Sequence, residues 1–415
     1  MAGAWKFAAL AFAAVAACAA AGEVALLGAC PGEDSSKEMR IVWHSESPSC
    51  AISYRTGNGP FLPAKCKMTR TPVEYTGMKD YCLFRAELGN LRPGTKYEYK
   101  VESGGASSAV HSFRTAGSGG AFNFLWMGDV HSTASRPAKM KMVERLLAGA
   151  ESAAAKRGGI GFILFSGDGV KHGQTYSCWR QWDECRAATD YMVAAIPGNK
   201  EYYRDEGKKR WHDRWFTSAR NNPPNGAPGL GATYWFLYGG VLFVGVDTLA
   251  EEGLEMDGEV RRTAVARQVE WFDRVASSQK GKFRYIVVFQ HYPYFGKSGP
   301  SGYGRYEQWR EVFDRHGVDF ALSGDSHSYV RTKPLRGGTE RADGTVYVVC
   351  PEIDSYVEEP SLVQGDGLVA KYDNNGSSYG ACWFSVDRKE MTMHYLSPGG
   401  KECDSVTVKA RPRTR

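Results

Sequence analysis

Five short segments of the 415-residue chain carry oxygen and nitrogen donors just after apolar, strand-like runs. Gly128-Asp129-Val130-His131 follows FNFLWM, and Gly167-Asp168-Gly169-Val170-Lys171-His172-Gly173 follows GFILFS. Pro197-Gly198-Asn199-Lys200-Glu201 follows MVAAI, His291-Tyr292-Pro293 follows YIVVFQ, and Gly324-Asp325-Ser326-His327 follows FALS. In layered α/β folds, ligands sit beyond the carboxyl ends of strands. Five such loops would therefore bring Asp, His and Asn into one cleft. Taken singly, a Gly-Asp pair after a strand is ordinarily a turn, and a lone His is ordinarily structural. The specific signal is the whole set in this order. Asp, His and Asn donors without thiolates suit iron, manganese or zinc. Two metals bridged by one carboxylate clamp a phosphate for in-line attack.

The elements that must position these residues fall into two patterns. Over residues 121–408, the runs FNFLWM, IGFILFS, LFVGVD, RYIVVFQ and DFALSG alternate with helix-period stretches. Met140, Val143 and Leu147 mark one helix face, and Val269, Trp271, Phe272 and Val275 another. This alternation predicts an α/β layered domain. The stretch from Cys178 to Ala195 also reads as helical. Over residues 23–116, short runs such as MRIVWHS, CAISYRTG, CLFRAEL, KYEYKVE and AVHSFRT are spaced by turn residues, which predicts a small all-β sandwich. Leu91-Arg92-Pro93-Gly94-Thr95-Lys96-Tyr97 reads as a tyrosine corner, with Tyr97 bonding back across the Pro-Gly turn. This segment resembles a fibronectin type III domain. His44 and His111 lie in strand-like runs and are expected to be structural. Residues 117–120 read as a linker and 409–415 as a basic, solvated tail.

Together these motifs resemble the calcineurin-type metallophosphoesterases, and within them the purple acid phosphatase branch, which places a fibronectin-like domain before the catalytic one. The match extends to Tyr202-Tyr203 after Asn199-Lys200-Glu201, to Tyr306-Glu307 ahead of Val318–Gly324, and to Ser328-Tyr329. The resemblance implies a catalytic domain made of a two-sheet β-sandwich flanked by helices. It also implies that Asp129, His131, Asp168 and His327 hold a first metal, with Asp168 bridging. Asn199, His291 and position 325 would hold a second. In that family a metal-bound hydroxide attacks phosphorus in line, and a metal lowers the pKa of bound water toward about 7.

Three positions depart from the family pattern. Asp325 stands where the family has His, leaving an oxygen ligand that favours manganese or magnesium, or a vacant second site. Lys200 stands where the family has the His that orients substrate and protonates the leaving group. Its ordinary pKa near 10.4 makes it the poorer acid. It remains a point charge for phosphate, or it pairs with Asp325 in partial replacement of the second metal. Lys171 occupies the place of the tyrosine that colours the purple enzymes. Lys171 and His172 either face substrate or lie on a loop surface.

Residues 1–22, MAGAWKFAALAFAAVAACAAAG, have the order of a secretory signal and fall short of a bilayer-spanning length. Val15-Ala16-Ala17-Cys18 reads either as a lipobox, which would tether the protein through Cys18, or as small residues of the apolar run. Secreted, periplasmic or lipoprotein placement is expected. Export in turn favours disulfides among the ten cysteines, with at least one free thiol or one intermolecular bond once Cys18 is set aside. The hydrophobic fraction of 42% and charged fraction of 24% exclude disorder as a whole-chain state. A net charge of +6 is well below that of a dedicated nucleic-acid binder, so no nucleic-acid partner is predicted. The leading expectation is an exported metal-dependent, acid phosphatase-like phosphoesterase with an altered second metal site. The alternative is a weak or inactive relative that binds phosphate or a partner. A carbohydrate-binding or adhesive β-sandwich ranks below both. Monoester, diester, nucleotide, phytate and phosphoprotein substrates all remain open. So do oligomeric state, the pocket role of Asp205–Gly231 with Lys208-Lys209-Arg210, and the sequon at Asn375-Gly376-Ser377.

Overall fold

The computed structural model describes residues 23–72, 80–118, 120–202, 232–248, 258–295, 306–353, 367–373 and 379–412. The expected signal with Cys18, the Asp205–Gly231 stretch and the Asn375 sequon lie outside these residues.

In the amino-terminal region, alternating apolar side chains build two facing sheets. One contains Val24–Pro31, Met39–Ser45, Cys82–Leu88 and Lys67–Pro72. The other contains Cys50–Thr56, Leu62–Pro63, Lys96–Ser103 and Ala106–Ser107, with His111–Arg114 paired to Lys96–Ser103. Ile41, Trp43 and Phe84 of the first sheet pack in one core with Ile52, Tyr99 and Phe113 of the second. The Tyr97 hydroxyl accepts from Arg92 N–H at 2.8 Å, closing the tyrosine corner.

The first of these sheets does not end with its own region. Ala29 pairs in parallel with Met192, so Val24–Pro31 lies beside Met192–Ala195 of the following domain. The result is a ten-stranded sheet running across both regions. Within it, Phe122–Met127, Phe162–Phe165 and Met192–Ala195 are parallel neighbours. A seven-stranded sheet faces them, with Val241–Val246, Tyr285–Gln290, Phe320–Ser323 and Val346–Val349 as successive parallel strands. Phe124 stacks on Phe384 within the first sheet at 4.4 Å and meets Phe243 of the second edge-on at 5.2 Å. The helix Ala138–Ala154 packs Val143, Leu146 and Leu147 against the outer face of the first sheet. The helices Gly258–Ser278 and Tyr306–His316 share a core with the outer face of the second.

Two expectations are corrected. The helix expected over Cys178 to Ala195 is instead three short helical turns, Tyr176–Trp179, Arg180–Trp182 and Arg186–Thr189, followed by the strand Met192–Ala195. Tertiary bonds override the local pattern here: the Asp183 carboxylate accepts from Leu26 N–H at 2.7 Å, and Cys185 is extended. The expected disulfides are also missing, since all nine described cysteines, Cys178 and Cys185 among them, are free thiols.

His44 and His111 are both buried in strands of the amino-terminal sandwich. Burial pushes the His111 imidazole down to about 4. A group that protonates more readily unfolded than folded removes stability as pH falls through that window. We therefore expect His111 to lose about 3 kcal/mol between pH 6.5 and 4, with no further loss below. Urea unfolding at pH 7 and pH 4 should show this pH-dependent loss in wild type and not in His111→Gln.

Candidate metal centre

The donors come from the carboxyl ends of five parallel strands. Asp129 and His131 follow Phe122–Met127, Asp168 follows Phe162–Phe165, and Asn199 follows Met192–Ala195. His291 follows Tyr285–Gln290, and Asp325 and His327 follow Phe320–Ser323. The loops are cross-laced through their backbones. Asp129 N–H donates to Gly167 O at 3.0 Å, His131 N–H to Asp168 O at 2.8 Å, and Gly324 N–H to His291 O at 2.7 Å. Asp129, His131, Asp168, Asp325 and His327 all have φ between 49° and 66°. Non-glycine residues rarely hold this left-handed conformation, and such strain gathers at functional sites. A Cβ on Gly324 would sit 2.6 Å from Asp129 Oδ2, and one on Gly198 would clash with Asp168 Oδ1, so both loops need glycine to approach the carboxylates.

Two overlapping groups of buried donors result. Asp129, His131 and His327 bring ligand atoms within 4.8 Å of one another, and so do Asp129, Asp168 and His291. Asp168 faces both groups: Oδ2 is 2.9 Å from His131 Nε2, and Oδ1 is 3.4 Å from His291 Nε2. Asn199 Oδ1 lies 3.2 Å from His291 Nε2, and Asp325 Oδ1 lies 3.7 Å from the same nitrogen. With the Asn199 amide turned over, its nitrogen donates to Asp168 Oδ2 at 2.9 Å and its oxygen accepts from Lys200 Nζ at 3.0 Å. Lys200 Nζ is 3.6 Å from Asp168 Oδ2, so its ion pair is with Asp168 and not with Asp325 as entertained from sequence. The Lys171 side chain is exposed, while its backbone N–H donates to Ser132 O at 3.0 Å.

The electrostatics call for cations. Burial opposes charge on Asp168, but His291, the His131 hydrogen bond and Lys200 outweigh it and hold the carboxyl below its usual range. Burial raises Asp129 and Asp325 against the pull of the nearby histidines. His131 is disfavoured as a cation by burial, yet Asp168 and Glu352 raise it to about 10. His291 and His327 are raised too, against burial, chiefly by Asp168 and by Glu352 respectively. Carboxylate charge is thus in excess, and the histidines take up protons to balance it. Metal binding displaces such protons from its ligands. The buried oxygen and nitrogen donors therefore fit a pair of metal ions of the iron, manganese or zinc class.

Two residues at the centre were not assigned roles from sequence. Glu201, buried on the short helix Asn199–Tyr202, accepts from Asp168 N–H at 2.8 Å, Gly198 N–H at 2.7 Å and Val170 N–H at 3.1 Å. It therefore ties the Asp168 loop to the Asn199 loop. Burial and the charge of Asp168 raise its carboxyl to about 7. Glu352, after Val346–Val349, lies behind His131 and His327. The strand position was the available signal, because VYVVC is one more apolar run ending at the same rim.

Residues 122–329 match the calcineurin-like phosphoesterase family, and residues 29–115 match the purple acid phosphatase N-terminal domain. An uncharacterised protein of Mycobacterium tuberculosis, found in two strains, is 26% identical over 371 residues, spanning 83% of this chain and 69% of its own. Among solved structures, purple acid phosphatase PPD1 from yellow lupin (Lupinus luteus) seeds is similar at a TM-score of 0.73 with 15% identity, covering 94% of this chain and 74% of its own. PhoD is similar at a TM-score of 0.60 with 12% identity, covering 94% of this chain and 90% of its own. At these identities the two structures speak to the fold.

Replacing Glu201 by Gln puts an amide donor against backbone donors. We expect a loss of about 2–3 kcal/mol in metal-free unfolding free energy, measured by urea denaturation. Glu201→Asp should lose less.

Proposed function

The chain belongs to the calcineurin-like phosphoesterase family, and on that premise we propose that it is an exported, acid phosphatase-like enzyme whose second metal site is altered. The observation that carries this reading is the pair of buried donor groups that share Asp129, with Asp168 a member of one and facing His131 of the other. When bound there, metals lower the pKa of coordinated water and take up charge on a phosphoryl group. The chain's own residues supply the rest. Asp129, His131, Asp168 and His327 are the candidate first-metal ligands, and Asn199, His291 and Asp325 the candidate second set.

Lys200 is the distinctive group. Its side chain is 32% exposed at the rim while its ammonium faces Asp168. Burial would lower its pKa, but the charges of Asp168, Asp325 and Asp129 raise it. It is thus a fixed positive charge suited to an anionic ester and a poor proton donor near neutral pH. Asp325 adds negative charge where the family has a neutral imidazole, which favours manganese or magnesium in that site. Export rests on the amino-terminal segment, with Cys18 as the candidate tether.

Hydrolysis of aryl phosphate monoesters and diesters, with manganese, iron and zinc supplied in turn, tests this reading. Turnover should require metal and fall at least about a hundredfold in Asp168→Asn, the loss of an interaction worth roughly 3 kcal/mol in the transition state. Rates should fall steeply as the leaving-group pKa rises, because Lys200 is a weak acid. A flat dependence would assign protonation to another group. No turnover with any metal would favour the phosphate-binding alternative, with Lys200 and Asp325 as its cause.

A further inference from the structure

Glu352 contacts the first donor group from the side opposite the metal-facing atoms. It is 1% exposed and comes from a strand that contributes none of the ligands. Its Oε2 lies 3.2 Å from His327 Nδ1, and its Oε1 lies 3.8 Å from His131 Nδ1. In both rings the other nitrogen faces the aspartates: His131 Nε2 is 2.9 Å from Asp168 Oδ2, and His327 Nε2 is 3.7 Å from Asp129 Oδ1. The two rings lie 5.0 Å apart, and the carboxylate is within hydrogen-bonding distance of His327 but not of His131. Lys139, buried in the first turn of Ala138–Ala154, places Nζ 3.4 Å from Glu352 Oε1.

A neutral imidazole carries one N–H and one lone pair, and the partner of one nitrogen decides which is which. An ionised carboxylate only accepts hydrogen bonds. A ring nitrogen held against it must therefore be the N–H. We propose that Glu352 is a positioning residue that holds His327 as its Nδ1–H tautomer, so that the Nε2 lone pair is left for a metal. Lys139 supplies the opposite charge that a buried carboxylate needs. The inference rests on the reading that His327 is a metal ligand.

Zinc affinity of the purified protein, measured by competition with a chromogenic chelator, tests it. Loss of a carboxylate behind a metal-bound histidine costs about 10–100-fold in affinity. Glu352→Gln should weaken the tighter zinc by that factor, because a neutral amide holds the His327 Nδ1–H less firmly than a carboxylate does. Glu352→Asp should recover part of the loss. Long-range proton–nitrogen spectra of the zinc-loaded wild type should show zinc on Nε2 and the proton on Nδ1 of His327, a readout that stands even if a variant fails to fold. Zinc on Nδ1 of His327, or an affinity within threefold of wild type in Glu352→Gln, overturns the inference. A wild type that binds no zinc overturns it together with the metal-centre reading. A zinc-loaded protein that hydrolyses no ester counts against the proposed function alone.

Discussion

Buried negative charge is the constraint around which this molecule is arranged. Asp129, Asp168, Glu201 and Glu352 are each at most 3% exposed, and Asp325 stands beside them at the rim. Carboxylates in such a setting are tolerable only when paired or hydrogen-bonded. Each here has partners: Glu201 takes three backbone N–H groups, Glu352 faces two histidines and a lysine, and Asp168 faces His131, His291 and Lys200. The remaining excess of negative charge raises the proton affinity of the histidines, and it is what a metal ion would neutralise.

Such a cluster needs a scaffold that does not relax around it. The parallel strands supply this by ending at one rim, while the aromatic layer between the sheets fixes their spacing through contacts such as Phe124 with Phe243 and Phe320 with Phe384. The amino-terminal region contributes to the same rigidity. Its first strand extends the catalytic sheet through Met192, in the strand that leads to Asn199. It is tied again where Ser35 N–H donates to Leu237 O and Leu237 N–H to Glu33 O. The left-handed backbone at five donor residues is held in place by these surroundings.

The two-sheet α/β architecture and the strand-end loops were legible in the sequence because the central strands are buried on both faces and read as unbroken apolar runs. FNFLWM, GFILFS and YIVVFQ announce their loops in this way, and Gly-Asp or His-Tyr-Pro punctuates them. What was not legible depends on distant contacts. The parallel pairing of Ala29 with Met192 joins segments far apart in sequence. The Cys178 to Ala195 stretch has helical spacing, but Asp183 is held by Leu26, and Arg186 N–H donates to Glu144 at 2.5 Å. Glu352 sits in Pro351-Glu352-Ile353-Asp354, without the glycine or histidine that marks the other strand-end loops, so little local sets it apart from a surface glutamate. Lys139 sits one residue before an obvious apolar helix face and reads as solvated, although it is buried.

The most direct test of a metal centre at the strand ends is anomalous X-ray scattering from crystals of the protein grown with manganese. The account predicts an anomalous peak among Asp129, His131, Asp168 and His327. Manganese found only elsewhere on the molecule, with these side chains ordered and paired among themselves, would contradict it.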